Sequence, residues 1–238
     1  MRAAHMPGVV YSERKLAAAG HAAWYGAGLV LAFAVPFVFT SWLDVPNDAY
    51  YAIYFAAMGA FLGAYVVESR LDVAGMFTRN WRWSLFLGLG AAAFTLFAVL
   101  GREDSTPRPD GLYFAFTVAW RGLLYGIVDA LVLSAFPMAV AYAMVGGGRL
   151  HGWGRKLEFG ALAMVLTLAI TAVYHLGYEQ FREDGVAAPE IGNAVISVPS
   201  IATLNPLGSL LAHATMHVTA DIHAYETEVF LPPKTTAD

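Results

Sequence analysis

Residues 83–100, WSLFLGLGAAAFTLFAVL, form an uninterrupted run without a charged side chain. A helix of about 20 predominantly apolar residues spans the hydrocarbon core of a lipid bilayer. The composition of the whole chain agrees with this interpretation. Of its 238 residues, 58% are hydrophobic and 13% are charged, whereas about 25% of the residues in soluble domains are charged. The stretch therefore predicts a transmembrane helix in an integral membrane protein.

Five further apolar stretches accompany this one. They lie at 22–43, 49–67, 112–145, 157–177 and 191–223. The first has about full spanning length and is interpreted as a retained helix rather than a cleaved signal peptide. The sequence therefore predicts an all-α, polytopic membrane helix bundle with about six transmembrane helices. The bundle at 22–223 would follow a cytoplasmic N-terminal segment at 1–21 and precede a flexible C-terminal tail at 224–238.

Basic residues are distributed unevenly between the loops. If the N-terminus is cytoplasmic, the inner segments hold most of the Lys and Arg residues, and the outer loops are acidic. The inner segments contain Arg2, Arg14, Lys15, Arg70, Arg79, Arg82, Arg149, Arg155, Lys156 and Lys234, and the outer ones Arg102, Arg108 and Arg182. Because cytoplasmic loops are enriched in Lys and Arg, we expect both termini to be cytoplasmic and the membrane to be the bacterial inner membrane.

Two of the apolar regions are irregular. The stretch at 112–145 would extend roughly 50 Å as one helix, against a hydrocarbon core of about 30 Å. It is therefore either strongly tilted or broken near Arg121 and Gly122. In the last region, Asn205 and Pro206 favour a helix start. We expect the last helix at about 206–223 and an interfacial or re-entrant piece at 191–204.

Ionisable residues inside the predicted helices are the candidate functional residues, because charges are costly in a bilayer. His175 and Glu179 are four residues apart on the fifth helix, and His213, His217 and Asp221 follow one another at intervals of four on the last. Residues at this spacing share one helix face. Two such histidines with a ligand from another helix are typical of a zinc site with an open position.

The predicted topology also indicates how deep in the membrane each of these side chains lies. The fifth helix would run outward, with His175 near its outer end. The last helix would run inward, so that His213 lies one to two turns below the outer surface and His217 lies deeper. We therefore expect His175, Glu179, His213 and His217 to form one metal site, with His175, Glu179 and His213 as the catalytic candidates.

Other interpretations of the same residues stay open. The histidines can simply hydrogen-bond neighbouring helices, and Glu179 follows Gly177 and can be a loop residue. An alternative to the metal ion is a haem or another tetrapyrrole, with His175 and His213 as the axial ligands. Arg121 and Asp129, two helical turns apart, are interpreted as a structural ion pair.

The composition excludes several kinds of functional site and partner. The chain has no cysteine, which excludes disulfides, thiolate metal ligands and a cysteine nucleophile. No cluster of basic residues interleaved with aromatic ones is present, so nucleic acid is not an expected partner. The expected partners are the lipid bilayer and other membrane-protein subunits.

Three segments resemble the CPBP superfamily, the CAAX-prenyl-protease and bacteriocin-processing membrane proteins. They are 120–126 (WRGLLYG), 171–175 (TAVYH) and 208–217 (GSLLAHATMH). The resemblance implies an intramembrane hydrolase in which His175 and His213 help to hold the attacking water and the developing oxyanion. His217 stands where that family has asparagine, and Phe116 and Thr117 stand where it has paired glutamates.

The missing glutamates leave two hypotheses for function. In the first, the protein is a membrane hydrolase in which Glu179 is the general base beside the histidines or a metal such as zinc. In the second, it is a non-proteolytic relative, an accessory or cofactor-holding subunit of a larger membrane complex. Many small and aromatic residues are available for helix packing in such an assembly.

Overall fold

The computed structural model describes residues 16–146 and 150–233, and every regular element within them is a helix. The N-terminal segment expected at 1–21 and the end of the expected tail fall largely outside these residues. The helices are α1 (Ala18–Trp42), α2 (Asn47–Ser69), α3 (Val73–Thr78), α4 (Trp81–Arg102), α5 (Gly111–Met144), α6 (Trp153–Leu176), α7 (Glu179–Asp184), α8 (Ala187–Thr203) and α9 (Leu207–His223).

Five of these helices, α1, α2, α4, α5 and α6, are long and apolar enough to cross a membrane. Their exposed faces carry large hydrophobic side chains such as Val30, Val67, Phe97 and Leu157, which suit a lipid environment. Two shorter helices, α8 and α9, have 17 residues each, or about 25 Å at 1.5 Å per residue. The prediction of an all-α membrane bundle with about six spans is confirmed.

The helix junctions collect at two ends of the bundle that differ in charge. At the basic end, the Asn205 side chain donates to the carbonyls of Phe77 and Arg79, at 2.8 and 2.6 Å. This end also carries Arg70, Arg79, Arg82, Arg155 and Lys156. At the acidic end, the backbone N–H of Thr106 donates to the carbonyl of His223 at 3.1 Å. This end also carries Asp48, Glu103, Asp104, Asp110, Glu183 and Asp184.

The direction of α9 differs from the prediction. The helix starts beside the basic end and finishes at the acidic end, so it runs parallel to α4. The piece at 191–204, expected to be re-entrant, lies instead in the complete helix α8 except for Leu204, which follows the helix. Helix α8 runs antiparallel to α9. Residues 16–18 and 224–233 therefore lie at opposite ends of the bundle. The sequence signal at Asn205 and Pro206 did mark the helix start correctly, and the Asn205 side-chain oxygen accepts the N–H of Leu207 at 2.9 Å.

Small residues let α9 pack closely between α4 and α5. A Cβ on Gly88 of α4 would lie 2.5 Å from the Cα of Gly208, and one on Gly126 of α5 would lie 2.8 Å from the Cα of Ala214. Without a hydrophobic driving force inside lipid, close backbone approach of this kind stabilises helix pairs. Because α9 is held on both sides, its histidines occupy defined positions.

The long stretch at 111–144 is one continuous helix with local irregularities. Two π-helical segments, Val118–Leu124 and Leu131–Ala135, flank a regular turn at Tyr125–Ala130. Wide turns of this kind are rare and frequently mark functional sites. Most of the helix is buried inside the bundle, which explains how it can hold the ionisable residues Arg121 and Asp129.

Residues 224–233 pack against the acidic end of the bundle rather than extending away from it. The carbonyl of Pro232 accepts from the Tyr51 hydroxyl at 2.9 Å, and the carbonyl of Glu228 accepts from the Gln180 side chain at 3.3 Å. Leu231 is 5% exposed. The segment therefore covers part of the bundle interior from this end.

Candidate metal site

Three buried ionisable side chains meet in the bundle interior. Asp129 of α5 and His213 and His217 of α9 each offer one ligand atom, and these atoms lie within 4.8 Å of one another. The three residues are 2–3% exposed. Among the described residues, this is the one group of three or more His, Cys, Asp and Glu residues with such spacing. The arrangement is suited to a metal ion.

Asn193 of α8 determines which nitrogen of the neutral His213 ring carries the proton. Its side-chain nitrogen donates to the carbonyl of Leu133 at 3.3 Å and to the Thr171 hydroxyl at 2.6 Å. The side-chain oxygen therefore faces His213 and accepts from Nε2 at 3.0 Å. Because Nε2 carries the proton, Nδ1 is left with a free lone pair, and this buried atom has no hydrogen-bond partner.

His217 is oriented by the chain segment that follows α9. Its Nδ1 lies 2.6 Å from the carbonyl oxygen of Phe230, to which it can only donate. In the neutral ring Nε2 then carries no proton, and it is buried without a hydrogen-bond partner. A histidine that donates its second ring N–H to a carbonyl oxygen is the usual arrangement for a metal ligand. In their neutral forms, both imidazoles of the cluster thus have one unprotonated nitrogen without a partner.

Asp129 supplies the carboxylate of the cluster. One oxygen, Oδ1, accepts from the Tyr54 hydroxyl at 2.8 Å. The other, Oδ2, lies 3.6 Å from His217 Nε2, too far for a good hydrogen bond. Burying a carboxylate without full compensation is costly, and a cation between these atoms would remove that cost.

A cavity of about 440 Å³ adjoins the cluster, lined by Asp129, His213 and His217 together with His175. The Nδ1 of His175 donates to the carbonyl of Thr171 at 2.8 Å, which leaves Nε2 as the basic nitrogen. The prediction that His175 and His213 share one cavity agrees with this geometry. His175 is nevertheless not among the three residues whose ligand atoms meet.

Glu179, expected to act as base and metal ligand, lies elsewhere. Helix α6 ends at Leu176, and Glu179 begins the separate short helix α7. The four-residue spacing from His175 therefore does not place the two side chains on one helix face. Glu179 is exposed and does not line the cavity. The acidic member of the site is Asp129 instead.

The expected ion pair between Arg121 and Asp129 is wrong. Arg121 points toward the acidic end, where its Nε donates to Asp48 Oδ1 at 2.9 Å. Its guanidinium also lies 5.2 Å from the ring centre of Tyr225. Burial raises the pKa of the Tyr225 phenol to about 12, although the positive charge of Arg121 opposes that shift. Because a long Arg side chain reaches toward the membrane surface, Asp129 is left for the histidines.

Because α9 runs in the direction opposite to the prediction, its residues also lie at depths other than those predicted. His217 lies closer to the acidic end than His213, and Asp221 lies closer still. Asp221 accepts from the Thr117 hydroxyl at 3.0 Å and is not part of the three-residue group. Phe116 and Thr117, the positions that the family resemblance assigns to glutamates, do not line the cavity.

Sequence reasoning missed Asp129, Asn193 and Tyr54 as members of this site. A signal for Asp129 was present: it is an acidic residue far inside an apolar stretch, which marks a functional candidate. It also follows Gly126 by three residues, so it shares the face on which α5 meets α9. Asn193 and Tyr54 carry no comparable signal, because their roles depend on contacts between distant helices.

No protein-family model, curated protein or solved structure matches the chain. The fold and the buried cluster nevertheless define its class: a polytopic helical membrane protein with a candidate His/Asp metal site.

Proposed function

We propose that the protein is a zinc-dependent membrane hydrolase whose metal ligands are Asp129, His213 and His217. One observation carries this proposal: two buried imidazoles, each with one nitrogen that has no hydrogen-bond partner, lie beside the same buried carboxylate. Histidines that served only to hold helices together would have both nitrogens paired, because unpaired buried polar atoms cost about 1–3 kcal/mol each.

The ligand set favours zinc with catalytic function. Two histidines and one carboxylate leave a fourth tetrahedral position open, as in catalytic rather than structural zinc sites. The adjoining cavity gives that position room for water and substrate. Bound zinc would activate this water for attack on a carbonyl carbon.

His175 is the proposed general base. It lines the cavity without joining the ligand group, and its Nε2 is free to accept a proton from water. This assignment replaces Glu179, which lies outside the cavity. The CPBP resemblance stays a prediction. The proposal keeps from it the hydrolytic chemistry and the use of His175 and His213, and it assigns the acidic role to Asp129.

Metal content and activity together test the proposal. Purified wild-type protein is expected to contain about one zinc per chain and to lose hydrolysis of the soluble probe p-nitrophenyl acetate after chelation, with recovery on adding zinc. His213→Ala should lose both metal and activity. His175→Ala should keep the metal and lose activity, and His223→Ala, at the end of the same helix, should keep both.

Each contrary outcome would overturn a different part of the proposal. Wild-type protein without zinc, or full metal content in His213→Ala, would disprove the metal assignment. An absorption band of a bound tetrapyrrole would favour the cofactor-holding alternative, and co-purification with other subunits after mild detergent extraction would favour an accessory role. Full activity in His175→Ala would remove the proposed base.

We also infer that the basic end faces the cytoplasm of a bacterial inner membrane, because basic loops are retained on that side. The acidic end and residues 224–233 would then face outward, which replaces the expectation that both termini are cytoplasmic. The chain has no cysteine, so single substitutions report orientation cleanly. Asp104→Cys should react with an impermeant maleimide on intact cells, and Gly154→Cys should react only after lysis. The opposite pattern would reverse the orientation.

A further inference from the structure

The cavity beside the cluster is largely apolar. Besides the cluster and His175, its lining includes Phe94, Leu133, Ile191, Ile196, Met216 and Phe230. Its volume of about 440 Å³ falls within the range of about 300–1,000 Å³ that is usual for small-molecule sites. The polar side chains of the lining are those of the cluster, His175, Asn193, Tyr125 and Arg102. A molecule that fills it must therefore be mostly apolar, with a reactive group at the metal ligands.

The cavity is covered on the side of the acidic end. Val229, Phe230 and Pro232 line it there, and this segment is fixed by the hydrogen bonds of Phe230 to His217 and of Pro232 to Tyr51. A substrate arriving from water would have to displace these contacts. Access from that side is therefore hindered.

The cavity is less covered on the flank of the bundle between α4 and α8. The two helices pack together at Ala91, Ala92 and Ile196. Closer to the acidic end, the cavity lining includes Phe94 of α4 and Ile191 of α8, which are 43% and 64% exposed. Because this flank of the bundle would face lipid tails, an opening between these side chains would lead into the acyl region of the bilayer.

The depth of the cluster fits the linkage between a lipid head group and its chain. The Thr95 hydroxyl contacts the carbonyl of Ala212 at 3.2 Å, so His213 lies near the level of Thr95. Arg102, the last residue of α4, lines the cavity mouth seven residues further on, or about 10 Å along the helix. A lipid with its head group at Arg102 would hold the next bonds of its backbone near the metal ligands.

We propose that the substrate is an acyl lipid, a carboxylic ester or amide that enters sideways from the bilayer between α4 and α8. This inference rests on the proposed hydrolytic function. Water adds its oxygen to the acyl carbon, the bond from that carbon to the ester oxygen or amide nitrogen breaks, and the leaving group takes a proton. The products are a fatty acid and an alcohol or amine, and no redox partner is needed.

Gly192 provides a way to close this opening. It lines the cavity, and a Cβ added there meets no atom within 4 Å, so Gly192→Phe should fold and place its ring in the opening. Gly90→Phe is the matched control, because Gly90 is exposed on α4, also has open space around it and does not line the cavity.

The test uses full-length protein in phosphatidylcholine vesicles, with the phosphatidylcholine itself as the ester and an added N-acyl ethanolamine as the amide. Fatty-acid release is measured by mass spectrometry. We expect wild type and Gly90→Phe to release fatty acid from at least one of the two, and Gly192→Phe to be at least about tenfold slower with unchanged zinc content. A lipid carrying a photoreactive group in its chain should label Phe94, Ile191 or Met216 in wild type and not in Gly192→Phe.

Failure of this inference differs from failure of the proposed function. Wild-type rates on lipid in Gly192→Phe, with unchanged labelling, would overturn access between α4 and α8. Zinc-dependent hydrolysis of p-nitrophenyl acetate without hydrolysis of either lipid would overturn the substrate class and leave the hydrolase. Absence of zinc-dependent hydrolysis on every probe would overturn the proposed function, and this inference with it.

Discussion

Arg121 and Asp129 lie on the same helix, eight residues apart, and meet opposite surroundings. Arg121 is 6% exposed, and a 2.9 Å ion pair with Asp48 and a contact with the Tyr225 ring satisfy it. Asp129 is 3% exposed and lies beside two imidazoles that each have one nitrogen without a partner, although His217 Nε2 is only 3.6 Å from its carboxylate. The first is a completed structural interaction. The second is an incomplete one, as expected for a site that binds something else.

This difference has consequences for stability and binding. A completed ion pair contributes to the fold, and removing one partner leaves the other charge uncompensated. An incomplete cluster costs stability until its ligand arrives, and such local costs are typical of functional sites. Substitutions around Asp129 should therefore change zinc affinity. Substitutions at Arg121 should instead change the free energy of unfolding.

The largest effect is expected for Asp129→Asn. Loss of the anionic ligand should weaken zinc binding at least about 100-fold, or about 2.7 kcal/mol, measured by competition with a chelating dye. Stability of the metal-free protein should stay the same or rise, because a buried and incompletely compensated charge has been removed. Unchanged zinc affinity would show that Asp129 is not a ligand and would end the comparison drawn above.

A smaller effect is expected for Tyr54→Phe, which deletes the hydroxyl that orients Asp129. Removing such a supporting hydrogen bond weakens metal affinity about 10–100-fold. Tyr65→Phe, eleven residues later on α2, is the control, because its buried hydroxyl contacts His21 rather than the cluster. Equal zinc affinities in the two variants would mean that Tyr54 does not support the site.

Arg121→Met should affect the fold and not the metal. Breaking a fully buried ion pair costs about 3–5 kcal/mol, but the Asp48 side chain is 33% exposed and can be hydrated. We therefore expect a loss of about 1–2 kcal/mol in unfolding free energy, measured by denaturant titration in mixed micelles, with unchanged zinc content. A loss of zinc would show that the two regions of α5 are coupled.

The smallest effect is expected for Glu179→Gln. Exposed substitutions away from special features change stability by less than about 0.5 kcal/mol, and Glu179 lies outside the cavity. Zinc content and hydrolysis should both equal those of wild type. A marked loss of hydrolysis would restore Glu179 as a candidate base and would require helix α7 to move toward the cavity.

Parts of the site could be predicted from sequence and parts could not. The spacing of His213 and His217 on one helix face predicted two of the three proposed ligands, since helical periodicity depends only on local geometry. Asp129, the third proposed ligand, was paired with Arg121 instead, because the two residues have opposite charges and lie on the same helix. Helix α6 ends at Leu176, together with its apolar stretch, so Glu179 lies beyond the helix and is separated from His175.

The sequence by itself determined the environment and the fold class. Long apolar runs with few charges can be stable only in a bilayer, where each helix satisfies its own backbone hydrogen bonds. Tertiary structure alone decided the direction of α9, the pairing of Arg121 with Asp48 and the meeting of Asp129 with the histidines. These outcomes depend on which helices approach closely enough at Gly88, Gly126 and Gly208 to pack. That choice involves contacts between residues far apart in the chain, which no local pattern encodes.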